Sequence, residues 1–289
     1  MLHGAIIYPE LPDDSFVTAL HAIRHVKWEA ILSTVNKRRF KETEKLLPAH
    51  CNLVNILDPE YTTFGFLEGL VRRGCHLFLT EKQRMSSGER IKLTALAEEG
   101  NTYIQIRNDL LFHPSFLTEG KFNQESRLIE IHQVEPGRPG AMQEMLYNNL
   151  LLILRMVNSE PSHTSVCAIP NSGYQPDVVN LHLAFHNGSA ASLTLSFNGK
   201  KREHQLSVHD AGGEMKYQFN ELHLSSSSYH SASDTVNLTN NTLLFKQIAY
   251  FSDCILKKKC QRFGLNDEAK TYRLLERINQ KLEFNAVLI

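Results

Sequence analysis

The fold is decided by one stretch of the sequence, Gly69–Phe116, which reads GLVRRGCHLFLTEKQRMSSGERIKLTALAEEGNTYIQIRNDLLFHPSF. Its first helix gives way to an apolar run, His76–Leu79, which predicts a buried strand. A second helix is predicted over 87–99 and a second strand over 102–106, which completes a strand–helix–strand unit. In open parallel α/β sheets, ligands bind just outside the carboxyl ends of the strands. The charged pair Glu81–Lys82, which follows the first strand, is therefore predicted to lie at a ligand site.

The same alternation of strand and helix runs back to the start of the chain. Short apolar runs are predicted to be buried strands, and longer segments with a helical period are predicted to connect them. This alternation is typical of βαβ units and a mostly parallel sheet. The predicted strands are Gly4–Tyr8, Ala30–Val35 and Leu53–Leu57, and the predicted helices are Phe16–Trp28, Lys37–Leu47 and Thr62–Arg73.

The pattern changes after about residue 114. A long helix is predicted over Ala141–Asn158, followed by strands that alternate apolar and polar residues. Asn-Gly pairs between these strands indicate hairpins, whereas the serine-rich segment Ser225–Ser233 is predicted to be a loop. Two helices close the chain. The predicted fold class is α/β: a Rossmann-like parallel-sheet domain over residues 1–114, followed by an α+β domain over residues 115–289 with a large, mostly antiparallel sheet.

Composition excludes several classes of protein. The chain has 289 residues, and its 31 Lys and Arg balance 31 Asp and Glu, so we expect neither a nucleic-acid nor a membrane partner. The longest apolar run, Leu150–Val157, is far too short to span a bilayer, and the first residues do not form a signal peptide. The five cysteines are widely spaced, which favours a reduced, cytoplasmic protein. The histidines lack metal-ligand spacing, so no metal is predicted.

The run from Gly74 to Gln83, GCHLFLTEKQ, resembles the "G-K-H-V-x-x-E-K-P" run of the Gfo/Idh/MocA (glucose–fructose oxidoreductase / inositol dehydrogenase) family. Phe112–Phe116 matches the family's "F-x-P-x-F", and Val179–Phe197 resembles its second-domain hairpin. The resemblance covers most of the chain. It implies NAD or NADP as cofactor, a sugar, cyclitol or other small carbonyl or hydroxyl substrate, Lys82 as an active-site residue, and a homo-oligomer formed through the second-domain sheet.

The loop after the first strand departs from the dinucleotide-binding pattern. The resemblance makes Tyr8 a cofactor-binding candidate, but the segment YPELPDD that begins with it lacks the G-x-G-x-x-G glycines. Those glycines let the backbone approach a pyrophosphate at a helix N-terminus. Two prolines remove N–H donors, and Glu10, Asp13 and Asp14 would repel phosphate. The alternative is an ordinary acidic loop in which Asp14 or Ser15 caps the next helix.

Other cofactor candidates follow the second, third and fourth strands. Asn36 stands where the family often has a ribose-binding acid, and the basic residue Lys37 could favour a 2′-phosphate; the alternative is the solvated start of a helix. Asp58–Pro59 stands where the family has "T-P-N-x-x-H", or Pro59 simply opens the next helix. Glu81 and Lys82 are the best-preserved pair. Lys82 could polarise a carbonyl or exchange a proton, or the two could form a surface ion pair.

In the second domain, the family's catalytic "H-x-x-D" falls on Asn149 and Leu152. An amide cannot exchange a proton at neutral pH. Two functions are therefore considered. One is a degenerate relative that acts as a ligand-binding or partner subunit, and the other is an active NAD(P)-dependent oxidoreductase. A third possibility is an assembly module whose sheet pairs with a second copy.

Overall fold

The computed structural model describes residues 1–10, 12–34, 45–80, 85–109, 111–112, 126–136, 141–170, 176–211, 213–219, 223–228, 231–237, 240–259 and 263–287. Contacts divide the chain into two compact units. The first unit combines Met1–His113 with Asn240–Ala269, and the second combines Pro114–Thr239 with Lys270–Ile289. The segment 240–269, which the sequence assigned to the second domain, thus makes its contacts within the first unit.

The described helices begin and end largely where the periodicity placed them, whereas most of the helix predicted over Lys37–Leu47 lies outside the described residues. The 3.6-residue apolar period and the caps account for most of their bounds. Ser86, for example, begins a helix with a capping box, in which its side chain and that of Glu89 each bond to the other residue's backbone N–H. The helices are α1 (Asp14–His21), α2 (Phe64–Arg72), α3 (Ser87–Glu99), α4 (Ala141–Val157), α5 (Asn240–Lys257) and α6 (Leu265–Val287), with a 3₁₀ helix at Pro59–Tyr61. None of the helices, as far as the chain is described, has the length and apolarity of a membrane span.

The first unit is built on a five-stranded parallel sheet, which confirms the predicted Rossmann-like architecture. Its spatial order is β2-β1-β3-β4-β5. The central strands are buried on both faces and read as continuous apolar runs, as expected when helices cover a parallel sheet. The strands are β1 (Leu2–Tyr8), β2 (Val26–Ser33), β3 (Leu53–Ile56), β4 (His76–Leu79) and β5 (Ile104–Ile106).

One predicted helix was too long. The helix expected over 16–28 ends at His21, and His25 turns the chain with a φ of 69°. Val26 and Trp28 are buried on either side of exposed Lys27, which is the period of a strand. The spacing of apolar residues across this turn imitates a helix because both elements bury their apolar side chains in the same core.

Helix α5 covers one face of the parallel sheet. Its residues Leu244, Ile248 and Phe251 are buried in one cluster with Ile6 and Phe78 of the sheet. The rings of Phe78 and Phe251 lie 6.1 Å apart. Each such side chain contributes roughly 1.5–3 kcal/mol by leaving water, so α5 is an integral part of the first unit.

The second unit contains an eight-stranded sheet in the order β13-β12-β11-β10-β6-β9-β8-β7. All neighbours are antiparallel except β6 and β9, which are parallel, so the predicted mostly antiparallel sheet is confirmed. Gly188, with a φ of 81°, lies in the predicted turn between β8 and β9. The strands are β6 (Leu128–Val134), β7 (Pro161–Pro170), β8 (Pro176–Phe185), β9 (Ala190–Ser196), β10 (Glu203–Asp210), β11 (Gly213–Phe219), β12 (His223–Ser228) and β13 (Ser231–Asn237).

Three strands of this sheet were not predicted. Strand β7 is polar and bounded by prolines, and β12 and β13 occupy the serine-rich segment that was predicted to be a loop. That prediction was wrong because backbone pairing in an antiparallel ladder does not require apolar side chains. An alternation of apolar and polar residues marks a strand only when one face of the strand is buried and the other is exposed. The pattern is absent when the side chains on both faces are small and polar.

Candidate functional site

The strand order reverses between β1 and β3, which makes the carboxyl ends of these two strands the expected ligand crevice. Beyond the last strand residues, the Leu57 N–H donates to the carbonyl oxygen of Ile7 at 2.9 Å. The Thr34 N–H donates to the carbonyl oxygen of Tyr8, also at 2.9 Å. The sheet therefore stays ordered up to the edge where a cofactor would lie.

The N-terminus of α1 is capped by a carboxylate. Asp13 Oδ1 accepts hydrogen bonds from the Phe16 N–H and the Ser15 hydroxyl, both at 2.7 Å. The Phe16 N–H, and after it the Ser15 hydroxyl, hold the pKa of Asp13 below its usual value. The prediction that Asp14 or Ser15 is the cap was wrong, since Asp13 is the cap and Asp14 is the first helical residue. The helix end that binds phosphate in dinucleotide-binding folds already holds an anion here.

Tyr8 lies beside this capped helix end. Its ring stacks on Phe16 with centroids 4.6 Å apart, and Phe16 in turn packs against Phe245 of α5 at 5.2 Å. Burial raises the pKa of the Tyr8 phenol, and the negative charges of Glu10 and Asp13 raise it further, against a smaller opposing effect of Arg107. The phenol therefore remains protonated in a locally anionic setting.

Asp58 and Pro59 follow β3 at the same edge. The Asp58 side chain caps the 3₁₀ helix that Pro59 begins, and its Oδ1 accepts the Glu60 N–H at 2.9 Å. Its Oδ2 accepts the Thr34 hydroxyl at 2.5 Å. The residue is 7% exposed, and both carboxylate oxygens bond within the protein. The structure thus brings Tyr8, Thr34 and Asp58 together; Thr34, just past β2, was missed because its side chain carries no motif.

Four predicted site residues lie outside the described residues. These are Asn36 and Lys37, after β2, and Glu81 and Lys82, after β4. Their proposed parts in cofactor binding and catalysis stay predictions.

A hydrogen-bonded group that sequence reasoning missed follows β5. Arg107 forms two hydrogen bonds with the carboxylate of Asp109, at 2.7 and 3.0 Å. Gln247, which is fully buried on α5, accepts the Asn108 N–H at 2.9 Å and donates to Asp109 Oδ1 at 2.7 Å. These contacts join the end of β5 to α5 and engage the Arg107 guanidinium with a carboxylate.

Asn149, the predicted counterpart of the family's histidine, is fully buried on α4 in the second unit. Its amide nitrogen donates to Met145 O at 2.8 Å and to Gln133 Oε1 at 2.7 Å, and its oxygen lies 3.0 Å from His204 Nε2. Burial lowers the pKa of His204 to about 4, so the neutral ring donates to Asn149. Leu152 is also buried. Asn149 therefore links α4 to β6 and β10.

Replacing Asn149 by leucine is expected to destabilise the protein by about 2–4 kcal/mol, because the half-buried Gln133 and His204 would each lose a hydrogen-bond partner at a fully buried position. Urea denaturation followed by circular dichroism measures this loss. The adjacent, half-buried Asn148 provides the control, and Asn148→Leu should cost less than about 1 kcal/mol. Equal midpoints for wild type and Asn149→Leu would show that the hydrogen bonds contribute little.

Comparison with known proteins identifies solved structures that share this fold. No protein-family model matches the chain, and no curated relative matches it. Solved structures do match over nearly the whole chain. UDP-N-acetylglucosamine 3-dehydrogenase GnnA from Acidithiobacillus ferrooxidans is 15% identical with a TM-score of 0.72, covering 96% of this chain and 97% of its own.

Two further solved structures share this architecture. The dehydrogenase MviM from Clostridium difficile is 14% identical with a TM-score of 0.71, covering 97% of this chain and 99% of its own. A mutant of the 3-ketoreductase KijD10 from Actinomadura kijaniata, in complex with TDP-benzene and NADP, is 15% identical with a TM-score of 0.61, covering 96% and 97%. The chain therefore has the two-domain fold of the Gfo/Idh/MocA-type dehydrogenases, which confirms the fold that the resemblance implied.

Proposed function

We propose that the chain is a degenerate relative of the Gfo/Idh/MocA-type oxidoreductases, with impaired or lost cofactor binding and hydride transfer. In this proposal it acts as a ligand-binding or partner subunit. The single observation that carries the proposal is the Asp13 carboxylate on the N-terminus of α1, 2.7 Å from the Phe16 nitrogen.

The residues at this helix end do not fit a pyrophosphate. A phosphate oxygen would need the N–H groups of the first turn, of which the Phe16 N–H already bonds to Asp13. Pro9 and Pro12 have no N–H to offer. The charge of Asp13, with that of nearby Glu10, would oppose a second anion. The site therefore supports weak dinucleotide binding or none.

The second unit supports the same proposal. We propose that Asn149 has a structural part, since its hydrogen bonds are made to Met145, Gln133 and His204. An amide and the buried Leu152 supply no group that exchanges a proton near neutral pH. A substrate ligand could still bind without turnover, as in a partner subunit.

Titration with NAD+, NADH, NADP+ and NADPH tests the proposal directly. We expect dissociation constants in the millimolar range or no binding, measured by calorimetry and by nicotinamide fluorescence. The 3-ketoreductase KijD10, whose mutant was solved with NADP, is a positive control for the assay. Micromolar binding of any of the four by this chain would refute the proposal.

The alternative is an active NAD(P)-dependent oxidoreductase on a sugar, cyclitol or other small carbonyl or hydroxyl substrate. It is favoured by the dehydrogenases and the NADP complex among the similar structures, and by the Glu81–Lys82 pair. In this alternative Lys82 polarises the substrate oxygen. Turnover with a panel of such substrates would support it, provided that Lys82→Ala abolishes that turnover; full activity in this variant would remove the role of Lys82.

We also propose that the chain forms a homo-oligomer through the second-domain sheet. One face of β8 points its apolar residues inward, while the other carries the exposed His182 and Ala184. Light scattering should give at least twice the chain mass of 33.0 kDa. Ala184→Arg, which places a long cation on the exposed face, should dissociate the assembly. A wild-type protein that is monomeric at micromolar concentration would contradict this proposal.

A cytoplasmic location is part of the proposal. None of the described cysteines (Cys51, Cys75, Cys167 and Cys254) forms a disulfide, which fits a reducing compartment. Burial raises the pKa of the Cys75 thiol to about 11, so this thiol stays protonated and unreactive. Cell fractionation tests the location, and recovery in an oxidising compartment would contradict it.

A further inference from the structure

Two histidines and a glutamate converge in the amino-terminal half of the parallel sheet. His3 lies on β1, Glu29 on β2, and His50 just before β3. Glu29 Oε1 lies 2.9 Å from His3 Nδ1 and 3.4 Å from His50 Nε2. The three donor atoms are all within 4.8 Å of one another.

A bulge in β2 places the glutamate. The parallel register pairs Gly4 with Trp28 and Ala5 with Ala30, which leaves Glu29 without a partner on β1. Bulges of this kind redirect a side chain and recur beside functional sites. Without the extra residue, every later side chain of β2 would change face, so the bulge both orients Glu29 and preserves the burial of the strand.

Two hydrogen bonds with Asn52 hold the backbone of His3 in place. Its N–H donates to Asn52 Oδ1 at 2.9 Å, and its carbonyl oxygen accepts the Asn52 N–H at 3.0 Å. The ring of His3 meets that of His50 edge to face, with centroids 4.9 Å apart. Two ligands on paired strands and a third on the adjoining loop thus form a partly ordered set of donors.

We propose that His3 Nδ1, the Glu29 carboxylate and His50 Nε2 bind one divalent transition-metal ion, zinc being the best match. Metal–ligand bonds of about 2.0–2.1 Å at tetrahedral angles require donor atoms about 3.3 Å apart. The two donor separations from Glu29, 2.9 and 3.4 Å, lie on either side of this value. Two imidazoles and one carboxylate form a ligand set that zinc uses when its fourth position is left to water.

Lys27 is the competitor for this site. Its ammonium lies 2.9 Å from the same Glu29 oxygen, but its side chain is 62% exposed and can rotate into solvent. Removing the lysine should strengthen metal binding, which an ion-pair network without a metal would not show.

This site is separate from the cofactor crevice. His3 precedes Tyr8 by five residues on β1, which corresponds to roughly 16 Å along a strand. Metal binding therefore neither requires nor excludes dinucleotide binding, and its test is independent of the proposed function.

Zinc titration of metal-free, tag-free wild-type protein by calorimetry at pH 7.5 tests the proposal. We expect one zinc per chain with micromolar or tighter affinity. His50→Ala, in an exposed loop, should weaken binding at least tenfold, since it removes one of three ligands. Lys27→Met should strengthen binding several-fold, and His186→Ala, an exposed histidine outside the cluster, should leave it unchanged.

Thermal unfolding gives a second readout. Saturating zinc should raise the midpoint of wild type and of His186→Ala but not that of His50→Ala, because a ligand stabilises only the state that binds it. Circular dichroism would show that the variants are folded. The proposal would be overturned by wild-type protein that binds no zinc at 100 µM, a concentration at least about tenfold above the expected dissociation constant. It would also be overturned by equal zinc affinities of wild type and His50→Ala.

Discussion

Replacing Glu268 by glutamine is expected to destabilise the first unit by about 3–5 kcal/mol. The Glu268 side chain is fully buried near the start of α6, and its Oε2 lies 3.0 Å from Nε of Arg90 on α3, which is itself only 7% exposed. Neutralising the glutamate would remove the negative charge that lies 3.0 Å from a guanidinium in the interior. The cost is large because the remaining Arg90 charge keeps its desolvation penalty and loses the ion pair with Glu268.

Fluorescence of Trp28 in urea measures this effect. Trp28 is the single tryptophan of the chain and is buried in the first unit, so its emission follows the unfolding of that unit. The double variant Arg90→Met with Glu268→Leu is the matched control, and it should recover much of the loss because no charge is then buried. If Glu268→Gln unfolded at the same urea concentration as wild type, solvent would be compensating the charge of Arg90.

Neutralising the loop after β1 is expected to tighten NADH and NADPH binding at least about tenfold, because three like charges then no longer oppose the pyrophosphate. The variant carries Glu10→Gln, Asp13→Asn and Asp14→Asn. Asparagine is as good an N-cap as aspartate, so α1 should remain intact with the Phe16 N–H still capped, while the negative charge that repels an anion at this helix end is removed. Nicotinamide fluorescence measures the change in affinity.

A second triple variant separates a local from a general effect of charge. Glu99→Gln, Glu203→Gln and Glu276→Gln change the net charge equally, at exposed positions away from the loop, and should leave cofactor affinity within about twofold of wild type. If both triple variants gain equally, the loop is not the specific barrier. If the loop variant binds NADH and NADPH no more tightly than wild type, the prolines or the second unit would have to explain the weak binding.

The strand–helix–strand unit β4-α3-β5 was predictable because its signals are local. The run His76–Leu79 is apolar after its first residue, and Ser86 with Glu89 forms the capping box that begins α3. The hairpin at Gly188 was predictable for the same reason. In each case a few neighbouring residues determine the backbone conformation, and the tertiary structure agrees with it.

The candidate sites could be predicted only in part. Tyr8 and Asp58 are candidates that the family motif suggests. The Thr34 hydroxyl that joins them has no motif, because that contact depends on the pairing of β1 with β2 and β3. His3, Glu29 and His50 lie far apart in the sequence and have no ligand spacing. A bulge and a parallel register bring them together, and neither has a signature in a single sequence.

A crystal structure obtained with millimolar NADH or NADPH would test the central claim most directly. We expect the Asp13 carboxylate to remain on the Phe16 N–H and no ordered pyrophosphate to lie beside Tyr8. An ordered dinucleotide with its phosphates on the N-terminus of α1, and with Asp13 displaced from the Phe16 nitrogen, would contradict it.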